Sequence, residues 1–345
     1  MLDFIVVGAA QAGLSMAYFL KKLNKKFLLV DKESAIGASW RNRWDSLTLF
    51  TPSEFNNLPG LDFPAPKGHY PSKDEVAEYF EAYVKKFNFP VQFNTLVEKI
   101  NCKEEHFLLK TSQGDLKAKN VIIGTGPFHI PYIPQFSEKI DPEIFQVHSN
   151  YYKNPGQLQK GKTMVVGAGD SGFQILDEIS QRRNSVYFSG TSNVRLLPQE
   201  ILGKTLFWWL KKTGILGFSK DSWIGKKLST SRQPIIGTDV KEILRRENVN
   251  LVGKVKDAEG KTVFTQNKEI TDLKNIVWAT GYRPNFEWIE GLELTENGYP
   301  QHYRGVSNIN GLYFIGLPWL YTRGSATLGG IEKDAKYLAN HISKM

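Results

Sequence analysis

The 345-residue chain has one cysteine, Cys102. A lone cysteine excludes an intramolecular disulfide framework and a CxxC redox pair, so we expect a reducing compartment. Zinc-ligand spacing, RNP-like aromatic motifs and dense basic runs are also missing, so the net charge of +9 does not read as nucleic-acid binding. It reads as a solvated basic surface that attracts anionic ligands. Long apolar runs are scarce. Phe4 to Leu20 is uncharged, but it is short for a membrane span of about 20 residues and is interrupted by Gly8, Gln11 and Gly13. Only Asp3 precedes it where a signal peptide needs basic residues. It reads instead as a buried strand, a turn and a helix. The expectation is a cytoplasmic protein without nucleic-acid or membrane partners, and the sequence leaves a homodimer open.

What is present is a pattern that occurs twice. Residues 5–15 read IVVGAAQAGLS and residues 164–174 read MVVGAGDSGFQ. Each is an apolar strand, a glycine-rich turn and the start of a helix. Each is followed by a second strand, KFLLVD and then SVYFSG, and later by a strand ending in threonine and glycine, NVIIGTG and NIVWATG. The expected fold is α/β, with two Rossmann-like dinucleotide-binding domains, the second inserted in the first. The expected boundaries are 1–152 and 278–345 for the first domain and 153–277 for the second. PSKDEVAEYFEAYVKKF reads as a helix with Ser72 as N-cap and Glu75 completing a capping box. GGIEKDAKYLANHI reads as a final helix, and LFWWLKKTGILGFSKDSW as irregular.

Glycine in such a turn permits positive φ and close backbone approach, and the uncapped helix N-terminus offers N–H groups to a pyrophosphate. The first copy has Gly8, Ala10 and Gly13, with Asp31 ending the next strand to receive ribose hydroxyls. Ala10 replaces the middle glycine and is expected to widen the turn slightly. The second copy keeps Gly167, Gly169 and Gly172. No acid ends its second strand, which leaves NADP open. Ser189, Thr191 and Ser192 offer hydrogen bonds there, and Arg195 or Lys204 offers charge. Two such folds in one chain point to two nucleotides, FAD and NADPH, with NADH also used to some degree.

Three further segments resemble class B flavoprotein monooxygenases, in particular the small bacterial CzcO-like FAD/NAD(P)-dependent oxidoreductases. They are GASWRNRWDSLTLFTP (37–52), WATGYRPNF (278–286) and GLYFIGLPWLYTRGSATLGGIEKDA (311–335). The resemblance implies that Gly8, Ala10, Gln11, Gly13, Asp31 and Lys32 hold the adenosine diphosphate part of FAD. Trp40, Arg41, Thr48, Thr125, Leu328 and Gly329 would line the rest of it. Gly167, Gly169, Asp170, Ser171, Gly172 and Thr280 would hold NAD(P), with Ser189, Thr191, Ser192 and Arg195.

The resemblance further implies that reduced flavin adds oxygen to give a C4a-(hydro)peroxyflavin, which oxygenates a sulfide, an amine or a ketone. No general base is assigned; Thr48, Phe50 and Thr51 are the flavin-proximal candidates. No metal is expected. Two departures stand out. The FxGxxxHxxx fingerprint survives only as His148 and Tyr152, with Pro142 and Ile144 at its Phe and Gly positions, so His148 reads as a structural linker residue. Phe50 aligns with an asparagine that many relatives carry near the flavin, and phenylalanine cannot donate a hydrogen bond. An NAD(P)H oxidase or reductase is therefore the alternative, and a redox-sensing protein that regulates a partner is a third reading. The Trp-rich stretch 206–218 reads first as packing over the site, then as a core helix, and last as a membrane-surface segment.

Overall fold

The computed structural model describes residues 1–231 and 233–344. The chain opens with β1 (Leu2–Val7), α1 (Gln11–Lys22) and β2 (Phe27–Val30). Helix α2 (Lys73–Phe87) begins at the expected capping box: Ser72 Oγ accepts from the Glu75 N–H, and the Glu75 carboxylate accepts from the Ser72 N–H. Strands β3 (Val91–Gln92), β4 (Val97–Cys102), β5 (Phe107–Thr111) and β6 (Leu116–Ile123) follow. Strands β6, β1, β2 and β3 lie side by side and parallel. The β4–β5 hairpin is antiparallel and joins through β6. Strand β3 pairs in parallel with β2 through Leu29–Val91 and Val30–Gln92.

A second sheet then forms from β7 (Phe145–His148), β8 (Lys162–Val166), β9 (Val186–Ser189), β10 (Val249–Leu251) and β11 (Leu273–Trp278). Its order is β10-β9-β8-β11-β7, parallel throughout. Helix α3 (Asp170–Ser180) connects β8 to β9. Its apolar residues Phe173, Ile175, Leu176 and Ile179 are buried. Strand β7 lies upstream of the boundary expected at 152. The aromatic stretch expected to be irregular contains α4 (Leu206–Lys212), and α5 (Trp223–Thr230) follows it. The chain then returns to the first sheet, where β12 (Leu312–Phe314) pairs in parallel with β6. Helix α6 (Ile331–Ile342) closes the fold against α1. Strands β1, β6, β8 and β11 each end in a buried apolar run, FIVV, VII, MVV and IVW, because both faces of a parallel sheet are covered there.

Two buried tyrosines of α2 fasten the long loop before it. The Tyr79 hydroxyl donates to Leu61 O and accepts from the Leu58 N–H, and the Tyr83 hydroxyl donates to Pro59 O. Burial pushes both phenols above their usual range. Loop carbonyls that burial would otherwise leave unpaired are thereby satisfied.

His302, at the edge of the first sheet, accepts from the Gly305 N–H through Nδ1. Burial, with Lys220 adding repulsion, pushes it down to about 4. Below pH 6.5 the unfolded chain binds a proton that the folded chain refuses, so stability falls as pH drops from 6.5 to 4. One histidine with this shift contributes about 3 kcal/mol across that window. Urea unfolding at pH 7, 5.5 and 4.5 is expected to follow this fall. His302→Gln should flatten most of it; an unchanged pH dependence in the variant would assign the effect elsewhere.

Candidate functional site

The two glycine turns are built alike. At the end of β1, the Gly8 N–H donates to Val30 O of β2, and the Gly124 N–H donates back to Val7 O. At the end of β8, the Gly167 N–H donates to Ser189 O of β9, and the Ala279 N–H donates to Val166 O. Gly8 (φ +100°) and Gly167 (φ +123°) both hold a conformation that favours glycine. A Cβ on Gly8 would lie 2.8 Å from Gly124 O, and one on Gly167 would lie 2.2 Å from Ala279 O. A Cβ on Gly13 would lie 1.8 Å from Gly8 O, and one on Gly172 would lie 1.9 Å from Gly167 O. The strands ending NVIIGTG and NIVWATG therefore supply the wall that each turn presses against.

The middle position differs. Gly169 has nothing within 4 Å of a would-be Cβ, and its backbone (φ −95°, ψ −178°) nearly matches that of Ala10 (φ −95°, ψ −166°). The expected widening at Ala10 is absent, because this position faces open space and its φ is ordinary for any residue. Neither α1 nor α3 carries a side-chain N-cap. Their first-turn N–H groups are left for an anion, and the open middle position gives it room. Both turns thus fit a dinucleotide pyrophosphate.

Around the first turn, the Asp31 carboxylate accepts from the Ala9 N–H at 2.6 Å and from the Glu33 N–H at 2.9 Å. Lys32 is exposed beside it. Trp40 Nε1 donates to the Gln11 side chain at 3.4 Å, which places the indole at the start of α1. Arg41 turns the other way, donating to Glu81 at 2.7 Å on an exposed face of α2. Thr125 pairs with His129 Nε2, while His129 Nδ1 accepts from the Asn285 N–H. Thr48 is exposed and bridges to Ser72.

Thr51 is buried and donates to Asn56 Oδ1; the Asn56 amide donates to Thr51 O and Pro52 O. That amide is fully used within its own loop. Gly329 lies so close to Phe55 that a Cβ there would fall 1.8 Å from Phe55 O. Phe55 thus joins the 48–56 loop to Leu328, Gly329 and the start of α6.

Around the second turn, Ser189 faces inward, its hydroxyl accepting from the Val255 N–H. The Thr191 hydroxyl accepts from the Asn193 N–H, and Ser192 is exposed. Lys204 is not at this strand end; its Nζ lies over Trp208. The Thr280 hydroxyl donates to Tyr132 O. Asp170, in the first turn of α3, has a buried Oδ1 with no hydrogen-bond partner among the described residues. Burial raises the pKa of this carboxyl above the usual carboxylate range, against the opposing pull of the Ile236 backbone N–H and of Arg323. Arg323 is held below its usual range by burial and by repulsion from Arg195. Asp170, with one unpartnered oxygen, and Arg323 are thus within electrostatic reach of each other beside an uncapped helix N-terminus, and Arg195 is within reach of Arg323. Arg323 was missed from sequence because it comes from the far end of the chain.

The halves meet through the 37–52 segment. Trp44 is buried in the core of the second sheet, among Tyr152, Val165 and Phe173. Arg43 donates to Tyr282 Oη at 2.7 Å and to Asn150 Oδ1 at 3.3 Å. His148 is buried; its Nδ1 accepts from the Asn150 N–H, which leaves Nε2–H to donate to Gly281 O. Acceptance at Nδ1 requires the neutral ring, and burial lowers its pKa. The expected linker position is corrected to the end of β7, where His148 pairs with Trp278 and its ring ties the strand end to Gly281. Phe207 of α4 stacks on Phe50, with centroids 6.0 Å apart and planes 19° apart, and touches Phe55 at 5.9 Å. The aromatic stretch therefore covers the junction. Phe50, Phe55 and Phe207 form an apolar wall beside Gly329.

Parallel sheets with paired glycine turns, pressed together at an aromatic junction, define a two-nucleotide oxidoreductase. A family model described as pyridine nucleotide-disulphide oxidoreductase matches residues 5–196, and the chain belongs to that family. An uncharacterized CzcO-like oxidoreductase from Geobacillus kaustophilus is 43% identical over 342 residues, covering 99% of this chain and 98% of its own. A flavin-containing monooxygenase from Stenotrophomonas maltophilia has the same fold, with a TM-score of 0.81 at 24% identity, covering 99% of this chain and 98% of that one. A cyclohexanone monooxygenase from Rhodococcus sp. Phi1, solved bound to NADP+, gives a TM-score of 0.74 at 16% identity, covering 99% and 84%. The resemblance read from the motifs is thus supported across nearly the whole chain, and the protein is an oxidoreductase enzyme.

Two positions of the second turn predict opposite outcomes for one substitution. Gly172→Ala forces a methyl group to 1.9 Å from Gly167 O and is expected to cost about 1–3 kcal/mol or more in thermal or urea unfolding. Gly169→Ala enters open space and should stay within about 0.5 kcal/mol of wild type. Equal effects would contradict the turn geometry.

Proposed function

We propose that the chain is an NAD(P)H-dependent flavoprotein monooxygenase acting on small organic molecules. The observation that carries this reading is the pair of equivalent, uncapped turns whose lobes meet at the Phe50–Phe207 stack. In this reading residues 1–152 and 278–345 hold FAD, and residues 153–277 hold NADPH, with NADH as a second donor. Bound there, FAD supplies hydride acceptance and reductive activation of oxygen, which allows one oxygen atom to pass to a sulfide, amine or ketone.

The chain itself binds, orients and excludes water. Gly8, Ala10, Gly13 and the α1 N-terminus receive the FAD pyrophosphate, and Gln11 and Trp40 lie beside them. Asp31 already steadies the turn through Ala9 and keeps lone pairs for ribose hydroxyls. Gly167, Gly169, Ser171 and Gly172 receive the nicotinamide dinucleotide. Arg195 and Arg323 offer charge-assisted hydrogen bonds to its phosphates, and the unpartnered Asp170 Oδ1 offers an acceptor to a nucleotide hydroxyl. The three phenylalanines keep water from the junction, where exclusion protects a reactive oxygen species from wasteful decay.

A second reading, an NAD(P)H oxidase or reductase, is favoured by one observation. The wall offers no hydrogen-bond donor at Phe50, and the nearby Asn56 amide is committed to its own loop. The deciding experiment mixes the NADPH-reduced protein with oxygenated buffer, with and without an organic sulfide. A monooxygenase yields sulfoxide, and its peroxide falls by the same amount. Stoichiometric peroxide with no oxygenated product from sulfide, amine or ketone probes would establish the oxidase reading instead.

The arginine pair gives a separate prediction. Arg323→Ala should raise the NADPH dissociation constant about tenfold, the worth of one charge-assisted bond, and leave FAD content unchanged. Isothermal titration with NADP+ and the absorbance of bound flavin check the two halves of that statement.

A further inference from the structure

Residues 199–231 carry five aromatic residues and six lysines, against only Glu200 and Asp221. Of these residues only Leu206 and Gly225 are buried. An excursion this apolar normally covers a core or meets a partner. One side of α4 is used inward, where Phe207 lies on Phe50 and Phe55. The rest faces out. The Glu200–Ile201 and Lys204–Thr205 strands form a hairpin whose tip is Leu202. Leu202 is 87% exposed and sits at φ +50°. Leucine is unfavourable there both as backbone and as surface, so folding does not account for it.

Trp209 Nε1 donates to Ile201 O, which fixes the hairpin to α4. Lys204 and Lys212 both lie over Trp208. Trp223, which opens α5, is 77% exposed with Lys227 over its ring.

We propose that this excursion docks the protein on an anionic membrane surface, with the hairpin tip and the tryptophans at headgroup depth and the lysines on lipid phosphates. The composition selects this occupant. Protein interfaces are enriched in arginine and depleted in lysine, and the stretch has no arginine. Headgroup layers favour tryptophan, and anionic leaflets attract diffuse lysine charge at about 1 kcal/mol per residue. A two-fold contact between copies would place two like-charged lysine sets against each other. The docking does not depend on the oxygenase reading; it makes the junction at Phe207 reachable from the lipid side.

Flotation of the FAD-loaded protein tests it, using vesicles of equal parts phosphatidylglycerol and phosphatidylcholine beside vesicles of phosphatidylcholine alone. The protein is expected to float only with the anionic vesicles and to be released as salt rises. Leu202→Glu is expected to weaken the partition about fivefold, the worth of one surface charge. Because the site is exposed, its unfolding midpoint should not move. Lys226→Glu with Lys227→Glu should weaken it further. A wild-type protein that stays in the soluble fraction, or a Leu202→Glu variant that floats equally well, overturns the proposal. A dimer that Leu202→Glu splits, without vesicle binding, gives the patch to a second copy and overturns it as well.

Discussion

In both turns a glycine stands where the carbonyl of a neighbouring strand leaves no room for a Cβ: Gly8 against Gly124 O, and Gly167 against Ala279 O. Much else depends on that contact. It lets the helix start immediately beyond the strand, with its first N–H groups unused. It ties β1 to β6 and β8 to β11, so β6 and β11 belong to the turns as much as to the sheets. A second glycine in each turn, Gly13 or Gly172, seats the helix on the same carbonyl system. The site is therefore a backbone construction, with side chains such as Asp31 steadying it from outside.

The other constraint is the junction. One loop, residues 37–52, serves both halves. Trp40 lies by α1, Trp44 is sunk in the core beneath the second sheet, and Phe50 meets Phe207. Arg43, Asn150, Tyr282 and neutral His148 form a hydrogen-bonded knot where the chain crosses between sheets. These contacts hold one nucleotide turn in register with the other. The proposed transfer of hydride between two nucleotides would demand that, because a misplacement of about 1 Å costs about 100-fold in rate. Arg323 belongs to the same logic: it reaches from the last segment of the chain to the acid that opens α3.

The aromatic wall and the outward aromatic excursion share one short helix. Phe207 points to the junction, whereas Trp208 and Trp209 lie under lysines. Helical geometry makes this division natural, since consecutive side chains diverge by about 100°. The environment of the proposed oxidation site and the outer surface of the protein are thus coupled through a single rigid turn.

The sequence alone determined the turns, because their chemistry is local. Glycine spacing, an apolar strand before it and a helical period after it are all readable within about 30 residues, and so is the Ser72–Glu75 capping box. It also indicated the pairing of each turn with a strand ending in threonine and glycine, because the pattern occurs twice. It could not say that the middle position at Ala10 is unconstrained, since that depends on empty space. It could not place Arg323 beside Arg195, remove Lys204 from the strand end, or turn Arg41 toward Glu81. Those outcomes rest on long-range packing between segments tens to hundreds of residues apart, where geometry is set by the way two sheets are pinned together. Trp44 shows the same limit: Trp40, four residues earlier, lies by α1, and only the tertiary structure sinks Trp44 into the core of the second sheet.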